Sequence, residues 1–244
     1  MHDLKKEVNQ IERGLFKITF ISLFSIVLLH SSAKAQTAAE IITQVKARIE
    51  KVNNYVAKGK LLTNVAFIKA PVAQVKIYFK KPNHIRIRNV SGISFIPRGS
   101  VNISLDNVFS DIASYDIIDA GKEAKTGFRI IKLLPNNDTS EVVLSTLYID
   151  EKKMLVMKAT TTTRDNGTYE LQMTYGKYAD FGLADKIIFS FNTKEYKLPK
   201  GITLDYDVGN SKEEDTKLKN KKGKVEISYS SYVINQGVPD SVFQ

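Results

Sequence analysis

The residue types that most often carry out catalysis are scarce in this sequence. It contains no cysteine, and its three histidines are His2, His30 and His84. Thiol nucleophiles and thiolate metal sites are therefore excluded, because both need a cysteine sulfur. A serine–histidine–aspartate triad downstream of residue 35 would have to use His84. Because His84 follows Pro82 and Asn83 at the start of a predicted strand, we interpret it as a structural or solvated residue.

One pair of carboxylates has a spacing that suits acid–base chemistry. Asp205 and Asp207 are two positions apart, so on a strand both side chains would point to the same side. Such a pair could serve a hydrolase of lipid or glycan, and the alternative is an exposed strand edge or a cation contact. The sequence has no phosphate-binding loop and no dinucleotide-binding glycine pattern, which argues against nucleotide chemistry.

The N-terminal segment has the three parts of a secretory signal peptide. Basic residues precede an uncharged, mostly apolar run at residues 18–29, and Ala33-Lys34-Ala35 follows it. This order predicts export and cleavage after Ala35. The run is shorter than the roughly 20 residues that span a membrane, and an uncleaved anchor is the alternative. We expect residues 1–35 to be a signal peptide, residues 36–244 to form one domain, and the mature protein to reside in the periplasm.

The charge balance indicates an anionic partner or a highly soluble surface. The 244 residues include 36 Lys and Arg against 26 Asp and Glu, a formal net charge of +10. Outside the cytoplasm such a balance favours anionic lipid, a membrane surface or an acidic partner over nucleic acid. The charged and small residues at positions 209–224 predict a solvated loop, and a contact with a lipid headgroup or a partner is the alternative there.

A single amphipathic helix is predicted at the start of the mature chain. Apolar residues recur at helical spacing between positions 38 and 56, beginning with Ile41, Ile42 and Val45. Thr37 and Glu40 have the spacing of a capping box, in which each side chain satisfies a backbone N–H at the helix start. The helix should end near residues 53–54 and present one apolar stripe to the rest of the domain.

From residue 57 onward apolar residues alternate with polar ones, which is typical of strands with one buried face. Short turn-like connections, of which Asp165-Asn166-Gly167 is the strongest, predict hairpins and hence antiparallel pairing. The predicted fold class is α+β, mainly β, with about 8 to 11 strands that must roll up or split into two sheets. Residues 107–115 interrupt the alternation with helical spacing and predict a short helix.

Four segments of the sequence follow one another in an order and spacing that can be compared with known families. Residues 38–60 form a helix leading into a strand, and residues 77–87 form a strand, a Lys80-Lys81-Pro82-Asn83 turn and another strand. Two further strand segments lie at residues 147–159 and 167–175. Together these segments resemble the LolA-like family, the carriers that sort outer-membrane lipoproteins. The resemblance covers roughly residues 38–233.

The resemblance implies an incomplete antiparallel β-barrel, with the N-terminal helix and a short lid helix over an apolar cavity. It also implies a non-enzymatic periplasmic carrier that binds lipoprotein acyl chains or other lipids for transfer to the outer membrane, without a cofactor or a metal. An inner-membrane donor and an outer-membrane acceptor would be its protein partners, with no nucleic acid. Carriers of this family hold an arginine on an early strand that engages the lid, but residues 60–69 contain no arginine.

Two other functions remain open at the level of the sequence. An exported structural or adaptor module of an envelope complex would use the loop at residues 209–224 or an exposed sheet edge. An exported hydrolase would use Asp205 and Asp207.

The inward-facing strand residues form the candidate lipid-binding site. They carry no charge, and a rolled sheet with an apolar concave face can host a guest if its own side chains leave room. The alternative is that the same residues fill a solid core. Met154, Met157 and Met173 favour the cavity, because methionine adapts to irregular partners. The candidates, chosen from the alternation, are Ile77, Phe79, Ile85, Ile87, Leu155, Met157, Leu171, Met173, Phe189 and Phe191.

Overall fold

The described part of the chain in the computed structural model contains the α-helix at Ala38–Ile49, eleven strands and three short 3-10 turns. The described residues are 36–65, 68–69, 72–82, 84–92, 109, 112–165, 167–192 and 222–244. The elements in chain order are α1 (Ala38–Ile49), β1 (Asn54–Val65), β2 (Ile68–Lys69), β3 (Ala73–Lys80), β4 (His84–Ser91), β5 (Tyr115–Lys122), β6 (Arg129–Pro135), β7 (Val142–Asp150), β8 (Leu155–Thr163), β9 (Gly167–Thr174), β10 (Lys186–Asn192) and β11 (Lys222–Ile234).

All eleven strands belong to one sheet, in the order β4-β3-β1-β11-β10-β9-β8-β7-β6-β5, with the short β2 beside β1. Every pairing is antiparallel. Strands β4 and β5 lie at the two ends of this order, so the sheet is open and is not closed into a barrel. The predicted α+β half-barrel with a single antiparallel sheet is therefore confirmed.

Helix α1 begins with the predicted capping box. The Thr37 hydroxyl accepts a hydrogen bond from the Glu40 N–H at 3.2 Å, and the Glu40 carboxylate accepts one from the Thr37 N–H at 2.9 Å. The helix ends at Ile49, a few residues before the predicted end. Val52 remains buried, but its N–H bonds to the Ile49 carbonyl oxygen, which tightens the chain into a turn that enters β1.

The sheet has one face turned to the core, which we call the concave face, and one outer face. Along β3 the core-facing Val75, Ile77 and Phe79 are buried, whereas Gln74 and Lys76 point outward. The apolar stripe of α1 belongs to the same core. Helix α1 therefore packs on the concave face.

Two segments differ from the prediction in detail. Within the predicted helix at residues 107–115, Phe109 is helical and buried, Ile112–Ser114 form a 3-10 turn, and Tyr115 already pairs with Pro135 in the sheet. Of the predicted loop, residues 222–224 belong to β11, because Lys224 and Val225 pair with β10. The rest of that loop and residues 1–35 lie outside the described residues, so the signal peptide stays a prediction.

Candidate functional site

The first wall of the concave face comes from β3 and β4. Ile77 and Phe79 are buried, and they stand directly opposite Ile87 and Ile85 on the edge strand β4. Ile85 and Ile87 are only half-buried, because β4 lies at one end of the sheet that the described strands form. The four predicted residues of this region therefore share one apolar surface that ends at an open edge.

The second wall comes from β9 and β10. Leu171 pairs with Phe189, Met173 pairs with Ile187, and Phe191 pairs with Tyr169. The predicted residues Leu171, Met173, Phe189 and Phe191 are all buried and belong to the core cluster that also contains α1. The rings of Phe189 and Phe191 lie 5.2 Å apart, and Tyr169 lies 5.5 Å from Phe189. This wall is apolar and rich in aromatic rings.

The alternation predicted for β8 is wrong at its start. The register between β7 and β8 shifts between Tyr148 and Ile149, so that Ile149 pairs with Val156 and Asp150 pairs with Leu155. Val156 therefore joins the core cluster. Leu155 is buried as well but lies outside this cluster, and Met157 is half-buried. An extra residue in one strand changes which face the neighbouring side chains take.

Helix α1 and Phe109 cover the concave face. Ala38, Ile41, Ile42 and Val45 of the helix are buried in the same core cluster as the two walls, as is Phe109. Helix α1 thus lies over the concave face, as the resemblance implied for the N-terminal helix, and Phe109 lies in the segment predicted as the short helix.

The C-terminal end of α1 is held by a few exposed contacts with the 3-10 turn Ala179–Phe181. Arg48 lies 3.3 Å from the Asp180 carboxylate, whose side chain is almost fully exposed. Lys51 Nζ donates to the Asp180 carbonyl oxygen at 3.2 Å. Exposed ion pairs contribute about 0 to 1 kcal/mol each, so burial of the apolar stripe dominates the attachment of the helix.

One end of the concave face carries hydroxyl groups that the sequence reasoning missed. Ser145 and Thr161 are buried and share a hydrogen bond of 3.0 Å. Burial raises the pKa of Tyr169 to about 12 despite its hydrogen bond with Thr161, so its hydroxyl is protonated at neutral pH. The run of threonines at residues 160–163 hid this group, because four identical residues show no alternation. The concave face therefore carries a polar patch on β7 and β8 beside the apolar second wall.

A cluster of tyrosines packs around Tyr232, near the C-terminal end of β11. The Tyr232 ring lies 5.3, 5.0 and 5.0 Å from the rings of Tyr55, Tyr178 and Tyr229. Its hydroxyl donates to the Ala184 carbonyl oxygen at 2.6 Å, and burial raises the pKa of Tyr232 above its ordinary value. This cluster joins β1, β11 and the turn before β10.

We expect Tyr232→Phe to lower the free energy of unfolding by about 1 to 2 kcal/mol, because the buried Ala184 carbonyl loses its hydrogen-bond donor. Tyr148→Phe is the matched control. Tyr148 lies on the outer face beneath Lys158 Nζ, 3.6 Å from its ring centre, and its change should stay below about 0.5 kcal/mol. Urea unfolding of the two variants measures both values; equal losses would contradict this role of Tyr232.

One cation faces the core side of the sheet near its β5 edge. Arg129 pairs in register with the buried Ile149, and its guanidinium contacts Asp119 and lies 4.0 Å from the Glu151 carboxylate. The backbone N–H of Gly121 and the Arg129 guanidinium hold the pKa of Asp119 below its usual value, against the opposing effect of burial. This network ties β5 to β6 and to the turn after β7.

The residues that could have served catalysis do not come together in the described part of the chain. His84 is exposed, and its ring packs 5.5 Å from Phe243. Within the described residues no three carboxylate or histidine side chains are grouped to hold a metal ion. Asp205 and Asp207 lie outside the described residues. No described helix is both long enough and apolar enough to cross a membrane.

Several solved protein structures share the fold of this chain. No protein-family model and no curated protein matches the sequence. A solved domain from Vibrio parahaemolyticus, assigned to outer-membrane lipoprotein sorting, is 11% identical with a TM-score of 0.54, and the match covers 85% of this chain and 97% of that one. A LolA superfamily protein from Nitrosomonas europaea is 12% identical with a TM-score of 0.53, covering 86% and 98%.

A third structure extends the same likeness. A DUF1329 family protein from Desulfovibrio piger is 12% identical with a TM-score of 0.52, and the match covers 85% of this chain and 95% of that one. At these identities the likeness concerns the fold. The chain therefore has the LolA-like fold, an open antiparallel half-barrel with a helix across its concave face.

Proposed function

We propose that this protein is a non-enzymatic periplasmic carrier that binds the acyl chains of lipoproteins or other lipids against the concave face of its sheet. The observation that carries this proposal is an apolar concave face, whose two walls at β3–β4 and β9–β10 belong to one core cluster with the helix that covers them. The solved protein from Vibrio parahaemolyticus assigned to lipoprotein sorting has the same fold, which supports the same class of cargo.

Cargo binding requires α1 to leave the wall, and the energies permit this exchange. Exposing Ile41, Ile42 and Val45 to water costs about 1.5 to 3 kcal/mol per side chain. A saturated acyl chain of about 16 carbons gains about 12 kcal/mol on leaving water for an apolar site, at about 0.8 kcal/mol per methylene. The guest therefore more than compensates for the displaced helix stripe, whose polar contacts with Asp180 are exposed and weak.

The three hydroxyl side chains beside the second wall suit the polar end of a bound lipid. Ser145, Thr161 and Tyr169 supply hydrogen-bonding groups beside the aromatic wall of β9 and β10. An ester carbonyl of a glyceride accepts hydrogen bonds and carries no charge. Neutral hydroxyls match that chemistry without the cost of burying an ion. We place the ester end of the acyl chain near these hydroxyls and its methyl end toward Ile77 and Phe79.

A dipalmitoylated lipopeptide is the probe that tests the proposed function. We expect native mass spectrometry to show a complex with one lipopeptide bound, formed by the purified domain in mild detergent. Ile87→Lys puts an ammonium on the half-buried edge of the apolar wall, and we expect it to weaken binding at least tenfold, since a charge opposes burial beside an acyl chain.

Val143→Lys is the matched control for Ile87→Lys. It introduces the same side chain on β7, where Val143 is exposed and does not face the core, so lipopeptide binding should be unchanged. Circular dichroism establishes that both variants are folded. Absence of any lipopeptide complex with the wild-type domain, or equal binding by the two lysine variants, would contradict the carrier proposal.

A further inference from the structure

The outer face of the sheet contains a groove that the carrier function does not use. Its volume is about 440 Å³, and it is lined by residues of β1, β3, β4 and β11. The groove lies where the sheet has two β-bulges, one between Lys58 and Gly59 against β11 and one between Gln74 and Val75 against β4. The extra residues of these bulges, Ser230 and Val90, both line it. Bulges bend and twist a strand locally, which accounts for the hollow in this face.

Three lysines lie in the lining of the groove. Lys58 and Lys60 on β1 and Lys76 on β3 all line it. Lys58 stands directly opposite Lys76, and Lys76 stands directly opposite Arg88 of β4. Three cations are thus side by side across three neighbouring strands. Like charges directly opposite each other destabilise a sheet, so this arrangement opposes folding unless an anion neutralises it.

The three lysines of the groove also differ from other cations of the outer face in their partners. Lys186 lies 2.7 Å from the Glu226 carboxylate, Lys158 lies 3.3 Å from Glu123, and Lys80 lies 2.5 Å from Asp240. Within the described residues no carboxylate is within 4.0 Å of the ammonium groups in the groove. The groove therefore presents uncompensated positive charge.

Neutral donors and aliphatic side chains complete the surface. The Gln74 amide and the Ser228 hydroxyl line the groove beside the lysines and can donate hydrogen bonds to a phosphate oxygen. Val90 lines it as well and is 60% exposed. Val72, which precedes β3, and Val233 on the outer face of β11 are each 53% exposed. Basic residues combined with exposed aliphatic side chains suit the boundary between the headgroups and acyl chains of a membrane.

We propose that this outer groove, defined by Lys58, Lys60, Lys76, Gln74 and Ser228, docks the protein on a membrane surface rich in anionic phospholipid. The lysines and the neutral donors bind headgroup phosphates, and the exposed valines contact the interface. The groove lies on the opposite side of the sheet from the wall proposed for cargo, so the docking proposal does not depend on the carrier function.

Vesicle co-sedimentation tests the proposal. Vesicles of equimolar phosphatidylglycerol and phosphatidylcholine should bind the protein at low salt, and vesicles of phosphatidylcholine alone should not. Each basic residue near an anionic surface contributes roughly fivefold to partitioning, so combining K58Q, K60Q and K76Q should reduce it about hundredfold. The reduction should shrink as the ionic strength rises, because salt screens charges beyond about 8 Å at physiological concentration.

Two control variants separate the groove from net charge and from folding. Combining K132Q, K152Q and K177Q removes the same total charge from exposed positions elsewhere and should leave most of the binding intact. Combining K58R and K76R keeps the charge and should also bind. Thermal unfolding should show no loss of stability in the groove variant, since glutamine relieves the repulsion between Lys58 and Lys76.

Three results would overturn the docking proposal. The first is equal vesicle binding by the two triple glutamine variants. The second is equal binding to anionic and neutral vesicles. The third is full displacement from vesicles by millimolar glycerol 3-phosphate, because that would make the groove a site for a single small anion and not for a membrane surface.

Discussion

Replacing Leu133 with alanine is expected to lower the free energy of unfolding by about 3 to 5 kcal/mol, whereas the same change at Leu134 lowers it by less than about 1 kcal/mol. The two leucines are neighbours on β6 but face opposite sides of the sheet. Leu133 is 0% exposed and Leu134 is 42% exposed. Leu133→Ala leaves a cavity in the core beneath α1, and Leu134→Ala only trims an outer surface.

The pair is its own control, because both variants remove the same atoms from adjacent positions of one strand. Guanidinium chloride unfolding gives the midpoint and the slope for each variant, and an unchanged slope shows that the midpoints can be compared as stabilities. Similar losses at the two positions would contradict the observed register of β6. Such a result would also contradict the assignment of Ile131 and Leu147 to the concave face, because both depend on the same register.

Cross-linking helix α1 to the sheet is expected to reduce lipopeptide binding at least hundredfold. The pair Arg48→Cys and Asp180→Cys replaces the exposed contact between the helix and the 3-10 turn Ala179–Phe181. The natural sequence has no cysteine, so a reducible bismaleimide links these two positions alone. A tethered helix cannot uncover the wall, and the acyl chain then has no apolar surface to occupy. The binding assay is native mass spectrometry with the dipalmitoylated lipopeptide.

Reduction of the linker supplies the first control, since it frees the helix and should restore binding in the same sample. A second control joins Lys186→Cys to Glu226→Cys with the same reagent. These positions form an ion pair on the outer face between two strands that are already paired, so that cross-link should not affect the lipopeptide. Undiminished binding by the protein with a tethered α1 would show that cargo does not enter beneath this helix.

Local patterns accounted for the helix and for most strands. The apolar spacing and the capping residues Thr37 and Glu40 depend on neighbours within one or two turns, and α1 forms where they indicate. The alternation along β3 and β10 likewise put Ile77, Phe79, Phe189 and Phe191 on the core face, because side chains in a strand alternate whatever the strand pairs with. The resemblance supplied the open half-barrel, and the solved structures support it.

The errors fall where pairing between strands decides the outcome. Residues 155–157 do not follow the predicted alternation, because the shift of register between β7 and β8 puts Val156 in the core cluster next to the buried Leu155. An extra residue is not visible in the sequence of β8 alone, because it exists only relative to the partner strand. The register between strands also decides that Ser145 contacts Thr161. It likewise decides that Lys58, Lys76 and Arg88 form one row across the sheet.

The sequence by itself determined that this chain forms one helix with an apolar stripe followed by antiparallel strands with one apolar face. Only the tertiary structure decided that α1 lies across that face, that hydroxyls collect at one end of it, and that lysines from separate strands meet in a groove on the other side. The physical reason is the distance along the chain over which each feature is set. Periodicity shows which way each side chain points from its own strand. Neighbours across a sheet depend on register, which is a property of two segments together.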